Sequence, residues 1–129
     1  MMRIKTNELS GAALDWAVAK CEGRQEPEVV NNFAVAWYTW PNTHYSTYWA
    51  QGGPIIERED ISFRKYHRPD SEAHGKYYAR VCRESGTLVG WHKTTGFQQT
   101  GPTPLIAAMR CYVASKLGDD IDIPEELTP

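Results

Sequence analysis

"HYSTYWAQGGPIIERE", residues 44–59, is the stretch on which the fold turns. Its two ends suit a helix: Ser46 and Thr47 can cap, and Ile55 to Glu59 can coil. Its middle, Gly52-Gly53-Pro54, combines the two poorest helix formers. The stretch is therefore either a damaged helix or a loop held open for a ligand.

On its N-terminal side, "FAVAWYTW", residues 33–40, reads as a strand by its β-branched and aromatic content. Neither of its faces is polar, so both are covered or one lines a pocket. Pro41 ends it. Upstream, residues 7–22 follow the helical period, and Gly23 is a stop. Residues 23–32, polar and holding Pro27, read as a loop.

On its C-terminal side, "ISFRKY", residues 61–66, alternates as a strand does, and residues 67–75 read as a loop. "KYYARVC" (76–82) and "TLVGWHK" (87–93) flank "RESG" as a hairpin turning at Gly86. "TTGFQQTG" reads as a mobile loop. The clearest element is "TPLIAAMRCYVASKLG", residues 103–118: Thr103 caps, Pro104 takes the first helical position and Gly118 stops it. The acidic tail, residues 119–129, reads as extended. The order predicts an α+β domain over residues 1–129. An antiparallel, curved sheet of about four strands packs with an N-terminal and a C-terminal helix.

The chain has 129 residues and a net charge of -2, with a sequence pI near 6.1. That length buries a core without disulfides or metal. The balance supplies no overall basic field for a nucleic-acid backbone, which argues against a double-stranded partner. Cys21, Cys82 and Cys111 are odd in number and share no C-x-x-C spacing, as in reduced, cytosolic proteins. There is no apolar signal core and no run of membrane-spanning length. Five Trp, seven Tyr and three Phe are too many large rings for this core alone, so some reach the surface. A homodimer that covers an aromatic sheet face fits this excess.

Three blocks, "GAALDWAVAKCEG", "YSTYWAQGGPIIERE" and "GPTPLIAAMRCYVASKLGDDIDIP", closely resemble the NinX-like proteins of lambdoid phages and their prophages. Residues 60–100 match less well. The blocks also resemble, more remotely, a phage domain described as an α-β-α sandwich. In that domain a helix follows "Y-S-T", and a "T-x-P-L-x-A" helix closes the chain. The resemblance implies a helical segment over 46–59, which the glycines and Pro54 then divide into two short pieces. It also implies an accessory protein made in the cytoplasm of an infected bacterium. It brings no catalytic residues. Such small phage proteins often counter host defences, some by trapping nucleotide signals, which is an analogy of genome context.

No residue pattern recommends an enzyme. There is no nucleophile elbow and no Cys-His signature, and Glu57 and Glu59 point to different faces of a helix. His67, Asp70, Glu72 and His74 crowd one polar loop without a zinc spacing, so no metal or other cofactor is expected. Anion binding has the better case. Gly52 and Gly53 let backbone N–H groups approach a ligand, and Pro54 would open a short helix. The plainer alternative is a tight turn that re-aims the chain. Around the glycines, Tyr45, Ser46, Thr47, Trp49 and Gln51 offer hydroxyl, amide and ring; Trp91 and Thr103 could join from elsewhere. Tyr45 and Trp49, four apart, could equally pack inward.

These residues predict a non-enzymatic binder of a small nucleotide-like ligand, in its sharpest form a trap for a host defence signal. The alternatives are a module that docks on a host or phage protein, or a small nucleotide-cleaving enzyme. Arg110, a charge inside the apolar final helix, is expected to have a buried partner.

Overall fold

The computed structural model describes residues 2–23, 28–30, 33–35, 44–65, 77–83 and 95–127. Their order is β1 (Met2–Lys5), α1 (Gly11–Gly23), β2 (Glu28–Val30), β3 (Phe33–Val35), α2 (Trp49–Glu59), β4 (Ile61–Lys65), β5 (Tyr77–Arg83), β6 (Thr95–Gly101), α3 (Pro104–Leu117) and β7 (Asp120–Ile123). The fold is α+β, and every strand pairing among the described residues is antiparallel. The strands form three sheets: β1-β7, β2-β3 and β4-β5-β6.

Helix α3 packs against all three strands of the largest sheet and also touches α1 and α2. Such a position requires an element apolar on nearly every side. Leu105, Ala107, Ala108, Met109, Cys111, Tyr112, Val113 and Ala114 are accordingly all buried. Its local signals behave as the sequence suggests: the Thr103 hydroxyl accepts from the Ile106 N–H at 3.1 Å, Pro104 follows, and Gly118 ends the helix. Helix α1 buries every residue from Ala13 to Ala19.

The outer elements are tied to this centre by polar contacts. Arg110 donates Nε to the Leu9 carbonyl at 2.6 Å and Nη1 to the Thr100 carbonyl at 2.8 Å. Its partners are backbone oxygens rather than an acid, and burial lowers its pKa. The close approach of β6 to α3 also needs Gly101, where a Cβ would meet the Ala107 nitrogen at 2.8 Å.

Several expectations change. Residues 46–59 do not hold two helical pieces: α2 runs unbroken from Trp49 to Glu59 through Gly52, Gly53 and Pro54. Each glycine costs a helix about 1 kcal/mol and an interior proline about 3 kcal/mol, so packing holds α2 together, not propensity. Asp60, in the left-handed conformation that Asp tolerates, ends it and leads directly into β4. "TTGFQQTG" is not a loop but contributes β6, because β5 supplies a full ladder from Thr95 to Gly101. Residues 28–30 form β2 within the expected loop of 23–32. The acidic tail, read as extended, carries the strand β7, which pairs with β1 over Met2↔Ile123 to Lys5↔Asp120. Both edges of β5 are occupied, by β4 and β6. The expected hairpin turn at Gly86 and strand 87–93 lie outside the described residues, as do residues 36–40 of the early strand. No helix among the described residues is long and apolar enough to cross a membrane.

Candidate functional site

A turn at residues 44–48 introduces α2 and shapes the surface beside it. The His44 carbonyl accepts from the Thr47 N–H at 3.1 Å and from the Tyr48 N–H at 2.8 Å. The Gln51 side-chain oxygen accepts from the His44 N–H at 2.6 Å, which closes the turn from the far side. Asp15 of α1 anchors its middle. One carboxylate oxygen, Oδ1, accepts from both the Ser46 N–H (2.8 Å) and the Ser46 hydroxyl (2.7 Å). Asp15 is only 6% exposed and Ser46 only 1%. Burial pushes the Asp15 pKa up and outweighs the two Ser46 bonds and the nearby His44, which pull it down.

Gly52 explains why α2 tolerates its own composition. A Cβ there would clash with the Tyr45 carbonyl oxygen and come within 2.6 Å of Leu105 Cδ1. Only glycine lets α2 sit against both the turn and the first turn of α3. Gly53 is different: its nearest neighbour to a Cβ is Trp49 Cε3 at an ordinary 3.9 Å. The Gly52 N–H donates to the Tyr48 carbonyl at 3.0 Å. The open glycine cradle expected for an anion is therefore replaced by a packed helix interior.

What remains open is a cleft of about 200 Å³ between the start of α2 and the start of α3. It is lined by Ser46, Thr47, Trp49, Thr103, Pro104, Leu105 and Ile106. Trp49 is 50% exposed, and its ring lies 5.9 Å from that of Phe63 on β4, centre to centre. Thr47 and Thr103 are exposed at the same cleft. The fold thus brings Ser46, Thr47, Trp49 and Thr103 together across 57 residues of sequence. Tyr45 is buried in the core, and Gln51 and Gly52 build the turn and the helix contact behind it. Trp91 lies outside the described residues.

Sequence reasoning missed Asp15, although its signal was available: a single acid in the apolar run "AALDWAVA" needs a buried donor. It also missed Pro104, Leu105 and Ile106 as cleft walls, because they read only as the start of an apolar helix.

At the other end of α2 lies a second polar cluster. Arg58 binds Glu22 of α1 in bidentate fashion, at 3.0 and 2.7 Å, and binds Glu59 at 3.1 Å. The Tyr112 hydroxyl donates to Glu22 at 2.6 Å, and Lys116 reaches Glu59 at 3.3 Å. Burial raises both carboxyl pKa values, but the surrounding donors win and hold both below the usual range. Burial pushes the neighbouring Cys21 thiol up to about 12, so it is no ready nucleophile. The cluster closes on itself and joins α1, α2 and α3. Among the described residues no three His, Cys, Asp or Glu gather to hold a metal ion, and the loop from His67 to His74 lies outside them.

A family model described as bacteriophage P22, NinX matches residues 5–116. The chain belongs to that family. The matched span takes in Asp15, the turn, α2 and nearly all of α3, so it includes every described residue of the cleft. No curated protein matches the chain. Membership of the NinX family carries a phage origin with it and leaves the chemistry of the cleft to be argued from its own residues.

Proposed function

We propose that this NinX-family chain is a non-enzymatic binding protein that takes up a small nucleotide-like molecule in the cleft beside Trp49. The observation that carries the reading is a half-exposed indole at the mouth of a cleft whose rim also carries the Thr47 and Thr103 hydroxyls. A flat ring stacks on indole, and hydroxyls read its polar edges. In this reading the protein acts in the cytoplasm of the infected bacterium and sequesters a signalling nucleotide of the host's defence.

Calorimetric titration against mono-, di- and cyclic nucleotides tests it. The expected result is saturable binding of at least one member, lost on Trp49→Leu. Flat responses across the panel reject it.

A second reading has its own support: Tyr48 (54%), Trp49 (50%) and Phe63 (39%) are large rings left exposed at the start of α2 and on β4. Exposed aromatic anchors are also what a protein-docking surface carries. A stoichiometric protein partner retained from infected cells, and released by Phe63→Ala, favours this reading over the first.

A further inference from the structure

We infer that the cleft recognises the heteroaromatic base of its ligand and leaves any phosphate in solvent; this rests on the binding role proposed above. Phosphate needs a cation or free backbone amides. None of the described residues that line the cleft is charged. The strongest donors elsewhere on the three helices are already engaged: Arg58 by Glu22 and Glu59, and Arg110 by the Leu9 and Thr100 carbonyls. Three amides beside it are also taken. The Gly52 N–H donates to Tyr48, the Ile106 N–H to the Thr103 hydroxyl, and the Ala107 N–H to the Thr103 carbonyl.

Size points the same way. Pockets for drug-sized ligands run from about 300 to 1,000 Å³. A cleft of about 200 Å³ has room for one ring system, not for a dinucleotide. Pro104, Leu105 and Ile106 supply apolar lining beside Trp49, and the threonine hydroxyls supply polar groups. That combination suits a nucleobase or nucleoside.

The test titrates adenosine, guanosine, cytidine and uridine, each beside its 5′-monophosphate and 5′-triphosphate, into the full chain at low and high salt. For the base that binds, the three phosphorylation states should agree within about threefold, and raising the salt should change the affinity less than about twofold, since no charge pair is screened. Trp49→Leu should abolish binding, and Thr47→Val should weaken it while the unfolding transition is unchanged. Affinity that climbs more than about tenfold with added phosphate, or collapses with salt, overturns base-only recognition while leaving a nucleotide-binding role standing. Silence from all twelve compounds overturns base recognition, and silence from the di- and cyclic nucleotides as well overturns the binding role.

Discussion

At its C-terminal end α2 is locked to its neighbours: Arg58 and Glu59 sit in a cluster with Glu22, Tyr112 and Lys116, where each charge meets its opposite. At its N-terminal end the same helix leaves Tyr48 and Trp49 half exposed, and its cap residue makes no side-chain bond to the helix. Gly52 lies between the two, pressed onto Leu105. One end is fastened by partnered charges, and the other is seated by shape and keeps its ring in solvent. The difference teaches that Gly52, which reads as part of a binding motif, seats the helix by close approach, while the ring beside it stays half exposed.

The contrast breaks most sharply at the glycines. Gly52→Ala should destabilise the protein by about 1–3 kcal/mol through overpacking, although alanine favours a helix by about 1 kcal/mol. Urea unfolding measures it, and a neutral result would mean that α2 is not seated on Leu105. The locked end should respond next. Glu22→Gln should cost about 1 kcal/mol at neutral pH, through weakened bonds to Arg58 and Tyr112. Because the folded pKa of Glu22 lies below its unfolded value of about 4.3, its contribution is present above that value. It is lost as the pH falls through the folded value. Acid unfolding curves of the variant should therefore be shallower below about pH 4 than those of the parent; parallel curves would remove Glu22 from the cluster's energetics.

Gly53→Ala sharpens the comparison from the opposite side. With ordinary contact at the new Cβ, it should raise stability by about 0.5–1 kcal/mol, the reverse sign to its neighbour. A loss there would indicate that both glycines are packed. The smallest stability effect belongs to the open end: Trp49→Leu should change unfolding by about 0.5 kcal/mol, since the residue is already half exposed and leucine keeps much of its apolar contact. A loss of several kcal/mol would make Trp49 a core residue and leave the cleft without its stacking surface.

Much of this fold was legible where the signal is local. Thr103, Pro104 and Gly118 mark both ends of α3 because capping involves residues only a few positions apart. Strands β4 and β5 lie within a residue of the expected spans, since alternation is a property of the segment itself. "TTGFQQTG" was illegible because glycine and threonine look like a connector until β5 offers a partner. The cleft was half legible. Thr47, Trp49 and Thr103 carry suitable chemistry on sight, but their meeting depends on how α2 sits against α3.

By itself, the amino-acid sequence determined the α+β class, the ends of α3 and the kinship with NinX, because these reside in local chemistry and in long matching words. Only the tertiary structure decided that α2 continues through Gly52-Gly53-Pro54 and that β7 pairs with β1 across nearly the whole chain. It also decided that Asp15 holds the turn at Ser46. Each of these depends on contacts between distant residues. Such contacts offset local propensities of a few kcal/mol once the core has assembled, and no short window of sequence contains both partners.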